Sequence, residues 1–284
     1  MAELQNLTVI GSGVLGSQIA FQAAYFGKNV TVYDISDEIV AKLPAKWERL
    51  SQLYVRDMAA TPEQLDAARA RLSETTDLAA ALADADVVIE AVPENLELKR
   101  KVWAQIGAAA PSGTLFCTNS STLLPSAIAD ATGHPERFLA LHFANEVWRN
   151  NTGEVMGHAG TDPAAVTAVL QFAGEIGMVP IHVEKEQPGY ILNTLLVPLL
   201  SAATHLWING VAEVEDIDKT WRTATGSPLG PFQILDHVGM ETLYQINLNT
   251  GTEESKRVAE RVKTEYIDKG YLGMDSGRGF YTYE

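Results

Sequence analysis

The chain of 284 residues holds a single cysteine, Cys117. One thiol excludes an internal disulfide and any cysteine-rich metal site. Paired metal-ligand spacing is missing as well. His134, His158, His182, His205 and His237 stand apart from one another, so they read as structural or surface residues and no metal is expected. No apolar run approaches the roughly 20 residues of a membrane span. The opening Met1-Ala2-Glu3-Leu4-Gln5-Asn6 has no basic region, and the first apolar run, Leu7 to Ile10, is too short for a signal. A cytoplasmic protein with no membrane partner is expected. Positive charge is scarce: 21 Lys and Arg stand against 36 Asp and Glu, a formal net charge of −15. Such a chain repels a polyanion at long range, which argues against nucleic acid as a partner.

What the chain does have is alternation. In its first half, short apolar strands read at Leu7–Ile10, Asn29–Tyr33, Asp86–Ala91, Thr114–Cys117, Phe138–His142 and Val179–Val183. Helical patterns separate them at Leu15–Gly27, after Tyr33 with a break or kink at Pro44, at Leu96–Ala109 and near Asp162–Ile176. This order predicts an α/β, Rossmann-type, doubly wound and mostly parallel sheet covered on both faces. The polar stretch Glu184-Lys185-Glu186-Gln187-Pro188-Gly189 marks a boundary, giving domains over 1–186 and 187–284. Beyond it Tyr190–Asn209, Val214–Thr223, Pro231–Asn249 and Thr252–Lys269 read as helices, so the second domain is expected to be all helical.

The turn Gly11-Ser12-Gly13-Val14-Leu15-Gly16 follows the first strand and opens the first helix, the setting in which GxGxxG binds a dinucleotide. Gly11 suits the tight turn, Gly13 the approach of a pyrophosphate, and Gly16 close packing of helix on strand. The helix N-terminus presents free N–H groups to the phosphates. Asp34 closes the second strand, 21 residues after Gly13, where an acid bonds the ribose hydroxyls and repels a 2′-phosphate. NAD(H) is therefore expected over NADP(H). No Walker-type lysine follows the turn, so ATP chemistry is not expected.

Other residues carry two readings each. His142 ends a predicted strand, where ligands gather in open parallel sheets, and a histidine there exchanges protons near neutral pH. Alone, a histidine in an apolar stretch is more often a satisfied structural residue. Glu154 favours the functional reading, because a carboxylate fixes the imidazole tautomer and stabilises its protonated form. Asn119-Ser120-Ser121-Thr122 follows another strand end, as ligands to a substrate oxygen or the nicotinamide ribose, or as a helix N-cap. Asn193 interrupts an apolar helical run, as a site residue or a buried structural bond. Glu94 and Lys99 are cofactor contacts, or a first-turn acid and a solvated lysine. Lys42, Lys46, Arg49 and Arg56 share a helical face, either for phosphates or as solvated surface.

Taken together, the glycine turn, Glu90-Ala91-Val92-Pro93-Glu94-Asn95-Leu96-Glu97-Leu98-Lys99, Asn119–Leu123, His142 with Glu154, Gly189–Asn193, Gly226–Phe232 and Gly277–Tyr281 resemble the short-chain 3-hydroxyacyl-CoA dehydrogenase family across essentially the whole chain. The resemblance implies His142 as general acid/base with Glu154 as partner. It implies Ser121 and Asn193 on the reacting oxygen, with Asn145 close by. It implies Gly11, Gly13, Val14, Leu15, Gly16, Asp34, Glu94, Lys99 and Asn119 around NAD(H), and a homodimer formed by the helical domain. The family usually has His-Phe-Phe-Asn-Pro at its histidine; here the run is His142-Phe143-Ala144-Asn145-Glu146. The segment His142–Met156 is similar to bacterial diketoreductases, and Trp148 in it is expected to line the substrate. The reading is an NADH-dependent enzyme interconverting a small-molecule 3-oxo group and an (S)-3-hydroxy group, diketoreductase-like. The alternatives are a short-chain L-3-hydroxyacyl-CoA dehydrogenase and a non-catalytic, crystallin-like NAD-binding protein.

Overall fold

The computed structural model describes residues 4–283; the sequence reading at Met1, Ala2 and Glu3 lies outside them. The chain divides into two compact units, Met1–Ile191 and Leu192–Glu284.

The first unit runs β1 (Asn6–Ile10), α1 (Val14–Tyr25), β2 (Asn29–Tyr33), α2 (Asp37–Val40), α3 (Leu43–Met58), α4 (Pro62–Arg69), β3 (Leu72–Thr75), α5 (Leu78–Leu82), β4 (Val87–Glu90), α6 (Leu96–Ala109), β5 (Leu115–Thr118), β6 (Phe138–Phe143), β7 (Thr152–Met156), α7 (Pro163–Glu175) and β8 (Val179–Val183). The strands form one sheet in the order β3-β2-β1-β4-β5-β6-β7-β8. The order reverses direction at β1 and β4, and the strands from β1 to β6 are parallel neighbours. A crevice beyond the carboxyl ends at such a reversal is where α/β sheets bind ligands.

Both faces of the central strands are apolar because successive side chains point to opposite sides. Leu7, Val9, Val87 and Ile89 pack with Phe21, Trp47, Tyr54 and Phe172 on one face. Ile10, Val88 and Phe116 pack with Trp103, Ile106 and Phe138 on the other. The edge strands differ: β3 and most of β8 are exposed or half-buried, and their sequences are correspondingly polar or mixed.

The helical region after Tyr33 is broken just ahead of Pro44: α2 ends at Val40 and α3 begins at Leu43, with Pro44 in its first turn, where its missing N–H has no helical partner to lose. The segment Thr152–Met156, not anticipated as a strand, pairs antiparallel with β6. Polar Thr152, Gly153 and Glu154 hide its strand character. The short β3, with only Leu72 apolar, was also not anticipated.

The second unit is helical: α8 (Leu192–Ile208), α9 (Val214–Thr225), α10 (Pro231–Val238), α11 (Met240–Thr250) and α12 (Glu253–Glu265). The helix expected over Pro231–Asn249 divides at Gly239, whose φ of +90° no helix accommodates. Trp207, Phe232 and Phe280 pack edge to face at the centre of this unit. Among the described residues no helix is long and apolar enough to cross a membrane.

Candidate active site

The glycine turn sits between β1 and α1, at the carboxyl end of the sheet. Gly11 has φ +99°, and a Cβ there would lie 2.9 Å from the Ala91 carbonyl oxygen beyond β4. A Cβ on Gly16 would fall 1.9 Å from the Gly11 carbonyl oxygen, so α1 starts against its own turn only without one. A Cβ on Gly13 would meet nothing within 4 Å. The space above the turn is open to a ligand, while the space behind it is filled. Val14 is exposed and Leu15 half-buried at the mouth of this space.

Asp34, just past β2, binds the same turn. Its Oδ2 accepts from the Ser12 N–H and hydroxyl, each at 2.7 Å, and its Oδ1 from the Ile35 N–H at 2.8 Å. Sequence reasoning missed Ser12, which occupies a variable position of the motif. Lys46 on α3 donates from Nζ to the Ser12 carbonyl and, at 3.5 Å, to that of Gly13. Burial lowers its pKa below the ordinary lysine value, against the raising pull of Asp34. The basic face expected on this helix is therefore not one stripe. Lys46 turns to the glycine turn, Arg56 pairs with Asp57, and Lys42 and Arg49 are exposed.

Beyond β4 the polar residues form a chain of contacts. Glu90 is fully buried, and its Oε1 lies 2.5 Å from Lys99 Nζ. Its Oε2 accepts from Trp103 Nε1 and the Thr118 hydroxyl. Lys99 is 1% exposed and also reaches the Val92 carbonyl and, at 3.4 Å, Glu94 Oε2. The ammonium thus holds three protein oxygens and is not the solvated lysine of the alternative reading. Glu94 Oε1 accepts from the Ser120 hydroxyl, the Thr122 N–H and the Thr122 hydroxyl. Burial pushes the Glu94 carboxyl up, but the Ser120 and Thr122 bonds and the Lys99 charge bring it net below the usual carboxylate range. Asn119, the first residue past β5, accepts from the Phe143 N–H through Oδ1. Glu90 stood in the sequence only as part of a longer motif, and Ser120 only as one of a run of hydroxyls.

His142 lies on β6 with both ring nitrogens engaged. Nδ1 is 3.0 Å from Glu154 Oε2, and Nε2 is 3.1 Å from Ser121 Oγ. The register explains the first contact: His142 and Glu154 are opposite partners in the antiparallel β6–β7 ladder. Glu154 Oε1 accepts from the Ile191 N–H at 2.9 Å. The imidazole stacks on Tyr190, with centroids 4.3 Å apart and planes 7° from parallel. Tyr190 is held in a left-handed conformation, φ +54°, and its hydroxyl donates to the Ser120 carbonyl at 2.7 Å. Burial, then the surrounding carboxylates, pushes that phenol well above the usual range, so it remains a donor. Tyr190 was visible only as part of a longer motif.

The loop between β6 and β7 is anchored at several points. Gln18 Oε1 accepts from the Glu146 and Val147 N–H groups. Trp148 Nε1 donates to Asp57 Oδ2 at 2.8 Å, and its ring lies 5.5 Å from that of Tyr54. Trp148 is 7% exposed, and its indole N–H is turned to the α3 side. Asn145 is exposed beside it in the chain. Asn193 is half-buried in the first turn of α8, two residues past Ile191. The helix starts later than expected, and at its start asparagine costs little. Among the described residues no cluster of His, Cys, Asp and Glu fits a metal ion.

Comparison with known proteins accounts for both units. The family model of the NAD-binding domain of 3-hydroxyacyl-CoA dehydrogenase matches residues 6–187, and that of its C-terminal domain matches 189–283. The mitochondrial hydroxyacyl-coenzyme A dehydrogenase of Sus scrofa is 32% identical over 289 residues, 99% of this chain and 92% of that protein. Among solved structures, a diketoreductase described in substrate-directed dual catalysis of dicarbonyl compounds is 50% identical, with full coverage of both chains and a TM-score of 0.95. The (S)-3-hydroxybutyryl-CoA dehydrogenase PaaH1 of Ralstonia eutropha is 29% identical, covering 99% of this chain and 100% of that one, with a TM-score of 0.82. NAD(H) is the cofactor of this domain, and the open turn at Gly13 with the acid at Asp34 fits it.

Proposed function

The chain belongs to the 3-hydroxyacyl-CoA dehydrogenase family, and from that membership we propose an NADH-dependent reductase that converts a 3-oxo group to an (S)-3-hydroxy group on keto or diketo esters or acids, and the reverse. The observation that carries the chemistry is the run Ser121–His142–Glu154, its histidine and glutamate buried and its serine half-buried, with each contact near 3 Å. Bound NADH supplies a hydride to the carbonyl carbon. His142 Nε2 gives a proton to the oxygen that takes up the electron pair, and in oxidation it takes that proton back. Glu154 fixes Nδ1–H and stabilises the imidazolium formed when the ring is charged. The Ser121 hydroxyl, with Asn193, donates to the oxygen as negative charge develops, and preorganisation makes such donors effective. Asn145 flanks the substrate. Glu94, held by Lys99, Ser120 and Thr122, and Asn119 line the nicotinamide ribose.

The substrate choice rests on the 50% identity with the diketoreductase, well above that with the CoA-ester enzymes. A second reading, a short-chain L-3-hydroxyacyl-CoA dehydrogenase, is favoured by the names of the curated relatives. One assay separates the two: NADH oxidation followed with a free 3,5-dioxo ester and with acetoacetyl-CoA. A larger kcat/KM for the free ester is expected. A large preference for the thioester reverses the order. The proposal includes a homodimer through the helical unit, which leaves Leu195, Val197, Leu206 and Val211 exposed.

A further inference from the structure

We propose that Lys46 is a cofactor-positioning residue that holds the glycine turn in its pyrophosphate-binding form. The inference rests on the NAD(H) reading of this turn. The Ser12 carbonyl precedes the helix and has no place in its ladder; Lys46 Nζ donates to it and reaches the Gly13 carbonyl, 3.5 Å away. In a trans peptide the C=O and the following N–H point to opposite sides of the chain. The Gly13 oxygen accepts within α1 from the Ser17 N–H and hydroxyl, and holding the Ser12 oxygen toward α3 turns the Gly13 N–H the other way. That is the side of the open space at Gly13 and of the free N-terminal amides of α1.

Ser12 thereby becomes the centre of a two-sided clamp. Asp34 takes its N–H and hydroxyl, and Lys46 takes its carbonyl. The cation also has an electrostatic part. In a chain of net charge −15, an ammonium behind the turn offsets the field that an anionic pyrophosphate meets. Lys46 sits in the first turns of α3 and is half-buried, so its removal leaves no buried charge stranded.

The test is calorimetric titration of wild type, Lys46→Met and Lys46→Arg with NADH and with ADP-ribose, beside the melting temperature of each ligand-free protein. Lys46→Met is expected to raise both dissociation constants about five- to tenfold, the range of one partly exposed charged hydrogen bond. Lys46→Arg, which keeps charge and donors, is expected to stay within about twofold of wild type, and ligand-free melting is expected to be unchanged. An NADH dissociation constant for Lys46→Met within about twofold of wild type overturns the assignment. So does a matching loss in Lys46→Arg, or a fall in ligand-free melting that tracks the loss of affinity. Wild type that binds neither ligand overturns the NAD(H) reading itself and this inference with it.

Discussion

Glu154 faces His142 across the antiparallel β6–β7 ladder, its Oε2 3.0 Å from the imidazole Nδ1. Directly opposed residues share one face of a sheet, so backbone register brings the pair together before any side chain is chosen. Both side chains are 4% exposed. In so dry a setting the carboxylate acts on the ring with little screening, and Tyr190 stacked on the imidazole limits its rotation.

Removing the ring should separate binding from chemistry. His142→Gln is expected to lower kcat by about two orders of magnitude or more while the NADH dissociation constant stays within about twofold. Glu154→Gln keeps the shape but loses the charge, and a fall of about tenfold to a thousandfold in kcat is expected. Steady-state kinetics beside NADH titration checks both. Near-normal turnover in folded His142→Gln would remove the histidine from the mechanism.

The Glu90–Lys99 pair is structural first. Lys99→Met leaves a fully buried carboxylate without its cation, and a loss of about 3–5 kcal/mol in urea unfolding is expected. Adding Glu90→Gln removes the stranded charge and should recover part of that loss. A Lys99→Met protein as stable as wild type would show that the pair contributes nothing.

Trp148 ties the β6–β7 loop to α3 through Asp57. The Arg56 guanidinium beside it, with help from the Trp148 N–H, holds the Asp57 carboxyl down at about 2. Trp148→Phe keeps the ring and drops the donor. A loss of about 1 kcal/mol is expected, with a several-fold lower kcat and unchanged NADH affinity, because the loop joins the strands of His142 and Glu154. Unchanged kcat in this variant would confine Trp148 to packing.

The parts legible in the sequence were those with a local signature. The glycine turn, Asp34 and the parallel strands of the first unit follow from period and turn chemistry. The His142–Glu154 pair was legible as two residues, but their contact depends on β7, whose Thr152-Gly153-Glu154 start has no apolar alternation to betray it. The partners of Trp148 and Lys99 were not legible for a shared reason: an aromatic or a lysine near a site motif gives no sign of which way it turns. The roles of Glu90 and Ser12 were hidden because their partners include residues distant in the chain, 28 residues away for Glu90 and Thr118 and 22 for Ser12 and Asp34.

Acid should reveal Glu94. Its folded-state pKa lies below the ordinary carboxylate value, so its stabilisation is complete above that value and is lost as pH falls through the folded pKa. Melting temperature followed from pH 6 downward should fall more steeply in wild type than in Glu94→Gln below about pH 4.5. Parallel curves would show that the Ser120 and Thr122 bonds do not favour the ionised form.

Cofactor choice turns on Asp34 and Lys46 together. The Asp34 carboxylate is fixed by Ser12 and Ile35 at the end of β2, where a 2′-phosphate would meet its charge. Wild type is expected to prefer NADH strongly over NADPH. Asp34→Ala removes the repulsion and also the acceptor for the ribose hydroxyls, so NADH affinity should fall about tenfold while NADPH affinity rises. Lys46 remains near the vacated corner, and its ammonium, no longer offset by the Asp34 charge, attracts a phosphate there. The NADPH gain should therefore shrink when Lys46→Met is added to Asp34→Ala, although NADH is affected by both changes in the same direction. Titration of the four proteins with both cofactors gives the coupling between the two sites. Equal use of NADPH by wild type would contradict the role of Asp34, and an NADPH gain untouched by Lys46→Met would leave the lysine acting on the turn alone.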